Sequence, residues 1–240
     1  MDGKDNPLVT GLRLDDLVLL GRTFDEYRRM FDLDAVDPTL SLLDVASGVS
    51  SFSAEAATAG YQVTASDRIY RFPPREIARK CAQDLTMVLD QLPGIKELYL
   101  WSYFRDIDEL RWRRQQAYLR FVDDFKRYGW QRYVPTEYPR TTFTNGQFAL
   151  ALVSHFLFLY DRQLTYEFHK HTVAELLRIT SQEIRIFPLI GLNGRRSPFL
   201  ERLLHDPMLA RCYSKIQSVD YEFMRGGNEM LVISKRPLPR

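Results

Sequence analysis

The stretch LLDVASGVSSF, residues 42–52, determines how this sequence is interpreted. The apolar run at 40–45 shows little alternation, which predicts a strand covered on both faces. Small residues follow it, which allow a backbone to pass close to a ligand, and the helix predicted next should offer free N–H groups at its start. Gly60 ends that helix, and residues 62–66 predict a second strand that leads to Asp67. The order of strand, loop, helix and strand predicts a right-handed βαβ unit.

Asp67 is the first candidate ligand group. It follows Asp44 by about the spacing, roughly 20 residues, at which an acid follows a dinucleotide-binding fingerprint and accepts hydrogen bonds from ribose hydroxyls. The loop does not match GxGxxG, however, and a pyrophosphate needs more glycine than this loop supplies. An NAD site is therefore disfavoured, and a plain strand–turn–helix with an incidental acid stays open.

The whole-chain composition excludes several classes of protein. Of the 240 residues, 45% are apolar and 27% charged, as in ordinary globular proteins, and a net charge of +2 gives no reason to expect a nucleic-acid partner. Cys81 and Cys212 have no metal-ligand or disulfide spacing, so we predict no metal site and a reducing, cytoplasmic location. The N-terminus is not a signal peptide, and the apolar run at 148–160 is too short to span a bilayer.

Periodicity predicts the remaining elements. A helix over 14–33 precedes the first strand, and helical spacing over about 73–130 predicts an insertion packed on one edge of the sheet. Its tryptophans and other aromatic residues either cover an acceptor or form its own core, and the core is favoured. Arg111, Arg113 and Arg114 are interpreted as part of a solvated face. The predicted later strands cover 132–134, 148–153, 183–188, 215–219, 221–225 and 229–234, the last ones forming an antiparallel hairpin around Gly226-Gly227.

Two motifs give the sequence a family resemblance. Ala46, Gly48 and Ser50 stand where class I S-adenosylmethionine (SAM)-dependent methyltransferases usually have the glycines of Asp-x-Gly-x-Gly-x-Gly. Residues 143–155, FTNGQFALALVSH, resemble the fourth-strand motif of that superfamily, although Ala149 replaces a common Asp. SHFLFLY at 154–160 and RIFPL at 185–189 are most similar to an uncharacterised bacterial branch.

The resemblance implies a fold and a cofactor. The fold is a Rossmann-like α/β domain spanning residues 1–240, with a mostly parallel sheet, an antiparallel C-terminal hairpin and a helical insertion, or cap, between strands two and three. The cofactor is SAM, with its methionine part on the small-residue loop, its ribose at Asp67 and its adenine beside Arg68 or Ile69. The implied cofactor contacts are Arg22, Tyr27, Asp44, Ala46, Ser47, Gly48, Ser51, Phe52, Asp67, Arg68, Ile69, Ser154, His155 and Phe156.

His155 is the candidate general base, because it follows a buried strand and its ordinary pKa suits proton removal near neutrality. The alternative is that it only shapes the loop or lines the pocket. Tyr160, Phe187, Asn193 and Arg225 are the candidate substrate-binding residues. The other three histidines, His169 among them, are expected at the surface.

Three functions remain open from the sequence. A small-molecule methyltransferase is favoured. An RNA or protein methyltransferase would need a basic surface that the charge balance does not suggest. A degenerate SAM-binding module that acts through interactions is kept open by the replaced glycines and by Ala149. No membrane partner is expected, and the sequence gives no oligomeric state.

Overall fold

The computed structural model describes residues 18–236. These residues form a seven-stranded sheet in the order β3-β2-β1-β4-β5-β7-β6. The strands are β1 (Ser41–Val45), β2 (Gln62–Asp67), β3 (Tyr133–Pro135), β4 (Phe148–Ser154), β5 (Thr180–Phe187), β6 (Tyr213–Ser218) and β7 (Glu229–Ser234). The first five run parallel, and β7 runs antiparallel between β5 and β6. The predicted Rossmann-like fold with an antiparallel C-terminal hairpin is confirmed.

Six helices flank the sheet in the described part of the chain. They are α1 (Phe24–Phe31), α2 (Phe52–Thr58), α3 (Pro74–Gln91), α4 (Ile107–Tyr128), α5 (Tyr166–Ile179) and α6 (Pro198–Leu204). The pair α3 and α4 lies between β2 and β3, where the helical insertion was predicted. None of these helices combines the length and apolar character that crossing a bilayer requires.

The sheet is buried on both faces, which explains why its central strands lack alternation. Leu43 packs with α5 and α6 on one face, and its neighbour Leu42 packs with α1 and α2 on the other. A third apolar cluster joins the insertion to β2, β3 and the loop after β1. Phe104 is fully buried in that cluster, whereas Trp112 and Trp130 are exposed.

The helix predicted over 14–33 is wrong in its extent. Residues 14–17 lie outside the described residues, and residues 18–23 are not helical. The helix begins at Phe24 because Thr23 and Glu26 form a capping box, in which each side chain bonds the backbone N–H of the other residue. It ends at Phe31, and the residue that caps its C-terminus, Asp32, is left-handed with φ 49°.

The strand predicted over 221–225 is also wrong. Residues 219–228 form a long connection between β6 and β7, and this connection pairs with the end of the insertion instead. Leu100 N donates to Phe223 O at 2.7 Å, and Arg225 N donates to Leu98 O at 2.9 Å. Two segments far apart in sequence are therefore joined by their backbones.

Candidate functional site

Two turns at the carboxyl edge of the sheet form the centre of the site. One follows β1 and the other follows β4, which are neighbours in the sheet although they are far apart in the chain. Such a topological switch point is where open α/β sheets bind ligands. Ala46 (φ 49°) and His155 (φ 51°) have a left-handed backbone conformation although they are not glycines. This conformation is strained, and it is found more often at functional sites than elsewhere.

Asp67 connects these turns to the next strand. Its Oδ2 accepts a hydrogen bond from Gly48 N and its Oδ1 one from Ile69 N, both at 2.9 Å. Burial raises the pKa of Asp67, and the two N–H bonds oppose that rise. Each carboxylate oxygen can accept a further bond, so Asp67 can position the loop and also hold a ligand hydroxyl.

Two of the N–H groups at the start of α2, those of Ser51 and Phe52, are already hydrogen-bonded within the protein. The carbonyl of Arg22 accepts hydrogen bonds from Ser51 N at 3.0 Å and from Ser50 Oγ at 2.8 Å, and Ser50 Oγ in turn accepts from Phe52 N at 3.1 Å. The reason is that residues 18–22 pass directly over the loop. A Cβ added at Gly21 would lie 2.3 Å from Val49 O.

Asp44 is buried beneath the loop and does not face a cavity. Tyr27 Oη donates to its Oδ1 at 2.9 Å, and its Oδ2 has no partner among the described residues. Burial, followed by the nearby Asp67 charge, raises the pKa of Asp44 well above its ordinary value. Phe52 is also fully buried, with its ring stacked 4.2 Å from that of Tyr27.

Two cavities flank the paired turns. The smaller, about 210 Å³, includes Asp67 in its lining, and the larger, about 400 Å³, lies on the side of the insertion. Six residues line both: Val18, Leu19, Ala46, Gly48, His155 and Tyr160. The segment before α1 and the two turns therefore separate two halves of one cleft.

Most predicted site residues line this cleft. Besides the shared Ala46, Gly48, His155 and Tyr160, the smaller cavity contains Asp67, Arg68, Ile69 and Phe156, and the larger contains Arg22, Tyr27, Ser47, Ser154 and Phe187. Asp44, Ser51 and Phe52 line neither cavity, because they pack beneath the loop or cap α2.

Two predicted substrate-binding residues also lie outside the cleft. Asn193 is exposed, and its Oδ1 accepts from Arg195 N within a turn. Arg225 is exposed, and its Nε donates to Glu97 O at 2.7 Å. Both side chains shape loops at the rim of the larger cavity.

His155 differs from the expectation in its protonation. Ser154 Oγ lies 2.9 Å from His155 Nδ1. Burial, followed by the charges of Arg22 and Arg114, lowers the pKa of His155 well below its usual value. The imidazole is thus neutral near pH 7 and a weaker base than its ordinary pKa suggested.

A buried ion pair beside the larger cavity was not predicted. Arg114 in α4 donates to both oxygens of Glu26 in α1 at 2.7 Å, and Tyr221 Oη donates to Glu26 Oε1 at 2.8 Å. Arg114 is 3% exposed, so its assignment to a solvated face is wrong. The capping box was the available signal that Glu26 points inward.

The far side of the larger cavity, here named the outer wall, was also missed. The insertion contributes Leu85, Val88, Leu89, Gln91, Leu92, Ile95, Tyr99, Leu110 and Arg114, and the β6–β7 connection contributes Tyr221, Phe223, Met224 and Gly227. Tyr99 and Phe223 pack with their ring centroids 4.8 Å apart. None of the three tryptophans lines this cavity, so the less favoured alternative, in which they cover an acceptor, is not what its lining shows.

The other three histidines lie outside the cleft. His169 is fully buried between Phe158 and Phe199, so its expected surface position is wrong. His171 and His205 are exposed. Within residues 18–236, no cluster of three or more His, Cys, Asp or Glu side chains could hold a metal ion.

The fold and the cleft define a Rossmann-like α/β protein with a two-part cleft at the switch point of its sheet. The chain is 47% identical over 225 residues to the uncharacterized protein MJ0045 of Methanocaldococcus jannaschii, covering 93% of this chain and 99% of that one. The chain belongs to the same family as that archaeal protein. The narrower assignment to a bacterial branch stays a prediction, and no family model matches the chain.

Solved structures resemble the chain at low identity. A SAM-dependent methyltransferase from Methanosarcina mazei is 13% identical, with a TM-score of 0.43 over 84% of this chain and 95% of that one. Magnesium protoporphyrin IX methyltransferase from Synechocystis, with bound SAH, is 11% identical, with a TM-score of 0.48 over 89% of this chain and 81% of that one. Likenesses this distant assign neither a ligand nor a reaction.

Proposed function

We propose that this chain is a SAM-dependent methyltransferase that acts on a small molecule. The observation that carries the proposal is the two-part cleft, in which strained turns after β1 and β4 separate a cavity containing Asp67 from a larger cavity containing Arg22. A cofactor with a nucleoside at one end and an amino acid at the other suits such a site. The motif resemblance at residues 42–52 and 143–155 supports the same assignment.

The smaller cavity suits the adenosine part. Asp67 would accept hydrogen bonds from the ribose hydroxyls with the acceptor positions that Gly48 and Ile69 leave open. Ile69 and Phe156 would flank the adenine, and both line this cavity.

The larger cavity suits the methionine part next to the loop. Arg22 lines it, makes no ion pair with any residue in 18–236, and has a buried Nε without a partner. A buried unpaired donor is costly, and a carboxylate would remove that cost. Arg22 is therefore assigned to the cofactor carboxylate, with Tyr27 supporting the loop from beneath through Asp44.

The chemistry of the transfer depends mainly on alignment. When bound, SAM supplies a sulfonium methyl group as the electrophile. The residues of the chain orient the acceptor and exclude water from the buried cleft. His155, neutral beside Ser154, would accept a hydrogen bond or a proton from the acceptor, while lining the pocket is its alternative role.

Binding tests the cofactor. Thermal unfolding should shift upward with SAM or S-adenosylhomocysteine (SAH) at millimolar concentration. Asp67→Ala should weaken SAH more than roughly tenfold, since a hydrogen bond to a charged group contributes about 1.5–3 kcal/mol. Asp37→Ala is the matched control, because Asp37 also caps a turn, at Thr39, but lines neither cavity.

Two results would contradict the assignment. The absence of any shift in the unaltered protein would remove the cofactor. An unchanged shift in Asp67→Ala would place the cofactor elsewhere. Each variant is compared with its own unfolding temperature without ligand, so that a loss of stability is not mistaken for a loss of binding.

Methyl-labelled SAM distinguishes the kinds of acceptor. The protein is incubated with the label and with separate small-molecule, RNA and protein fractions of a cell extract. Label in the small-molecule fraction is expected. Label in RNA or protein favours the macromolecular alternative, and intact binding without any transfer favours an interaction module. A cytoplasmic location, a single domain and a capping role for the insertion belong to the same proposal.

A further inference from the structure

The outer wall of the larger cavity is predominantly apolar. Its aliphatic side chains include Leu85, Leu89, Leu92 and Ile95 from the insertion, and Tyr99 and Phe223 add two packed rings. None of these residues lines the smaller cavity. This surface therefore lies apart from Asp67 and is free to contact a second molecule.

The charged side chains that line the larger cavity are all positive. Among residues 18–236, its charged lining side chains are Arg22 and Arg114, and no Asp or Glu lines it. Arg114 is neutralised by Glu26 behind the wall. A positively charged group that lies against the outer wall, away from the loop beside which the methionine part of SAM is placed, would thus lose its water without meeting a counter-ion on that wall. The rings of Tyr99 and Phe223 could attract a cation, but Arg22 opposes it in the same cavity.

The mouth of the larger cavity is lined by exposed apolar side chains. Ile95 is 37% exposed and Leu192 is 46% exposed, and both line the cavity. They come from the insertion and from the loop after β5. Aliphatic side chains are thus presented to solvent at an entrance between two separate elements.

We infer that the outer wall binds the apolar body of a small acceptor that carries no positive charge. The inference rests on the proposed function only in naming this molecule the methyl acceptor. The binding preference itself follows from the wall and its charges. Amines and other cationic acceptors are disfavoured, whereas neutral or anionic molecules with an apolar body fit.

Binding of three matched probes to the full chain tests the preference. N-phenylnaphthylamine, a neutral dye that brightens in apolar cavities, is displaced by para-pentylphenol, para-pentylbenzoate or para-pentylbenzylamine, which are neutral, anionic and cationic near pH 7. The phenol is expected to compete at least about tenfold more strongly than the amine, because burying an unpaired charge is costly. Equal competition by the amine, or no binding of the dye, would overturn the inference.

Variants at the mouth show whether the dye occupies this cavity. Ile95→Asp and Leu192→Asp, tested separately, should each weaken dye binding several-fold, since they place a charge at an apolar entrance. Met87→Asp is the matched control, because Met87 is 45% exposed on α3 and does not line the cavity. Unchanged binding in both mouth variants, or an equal loss in the control, would contradict the inference.

The two proposals fail in different ways. A shift with SAH but no selective binding of apolar probes would remove the substrate class and keep the cofactor. Selective probe binding without any SAH shift would keep the apolar site and remove the methyltransferase.

Discussion

The two cavities differ in how the chain builds them. The smaller is formed largely by residues at or just after the ends of β1, β2, β3 and β4, such as Gly48, Asp67, Thr136 and His155. The larger shares the turns after β1 and β4 but is closed by an insertion and a connection more than a hundred residues apart in sequence. The smaller cavity thus follows from the arrangement of the strands, whereas the larger one depends on contacts outside the sheet.

The turns of the sheet are thus a feature that this protein shares with its fold, whereas the outer wall is particular to this chain. Turns at a switch point recur wherever this fold binds a nucleotide-like ligand. The outer wall holds its shape through Leu100–Phe223 and Leu98–Arg225 backbone bonds and through the buried pair of Glu26 and Arg114. Disturbing those contacts should alter the larger cavity and leave the smaller one intact.

The largest effect is expected from Arg114→Met. The change leaves Glu26, which is fully buried, without its cation, and breaking such a pair costs about 3–5 kcal/mol. Thermal unfolding should shift down by on the order of 10 °C. Arg111→Met, at an exposed position on the same helix, should change stability by less than about 0.5 kcal/mol.

A second variant separates the buried charge from the lost packing. Adding Glu26→Gln to Arg114→Met removes the uncompensated carboxylate and should recover part of the lost stability. Failure of the double variant to recover any stability would show that the pair matters for packing alone. Dye binding to the larger cavity should weaken more than SAH binding if the two halves are as independent as their construction suggests.

A smaller effect, shared by both cavities, is expected from Gly21→Ala. The added Cβ would lie 2.3 Å from Val49 O and 3.2 Å from Ala117 Cβ, so residues 18–22 must move away from the loop. Crowding of this kind typically costs about 1–3 kcal/mol. Because Val18 and Leu19 line both cavities, the SAH shift and the dye signal should weaken together.

The control for this variant is Gly94→Ala. Gly94 lies in the insertion, and a Cβ there would have no atom within 4 Å. It should leave stability and both binding signals almost unchanged. Loss of only one binding signal in Gly21→Ala would mean that residues 18–22 serve one cavity rather than dividing the cleft.

The sequence predicted what depends on local pattern. β1, the small-residue loop, β2 and Asp67 follow from a few adjacent residues, and the structure places them as expected. The bond between Ser51 N at the start of α2 and Arg22 O was not predicted, because Arg22 lies about 30 residues earlier in the chain. Nothing in residues 42–52 alone contains that contact.

The failures share one cause, which is long-range packing. Arg114 stands among charged residues, which predicts a solvated position. It is buried instead, because it pairs with Glu26, which lies 88 positions away in the chain. His169 lies in α5, and it is buried by two rings from other segments, Phe158 and Phe199. Residues 221–225 have a strand-like composition, but they pair with the insertion. Periodicity within a segment cannot reveal a partner that lies outside it.

The smallest effect concerns His155, which lines both cavities. Its pKa is lowered by burial and by Arg22 and Arg114, so below the unfolded-state value of about 6.5 the unfolded chain binds the proton more readily than the folded one. Stability should therefore fall as the pH drops through that value, by less than about 1.4 kcal/mol per pH unit. His155→Gln should flatten this decline in urea unfolding from pH 7 to pH 5, whereas His171→Gln, at an exposed position of α5, should not.

The affinity for SAH should stay level between pH 6.5 and 8, because the buried His155 remains neutral throughout that range. A His155 ring resonance that titrates near 6.5 would contradict the burial argument and restore an ordinary base at the junction of the two cavities.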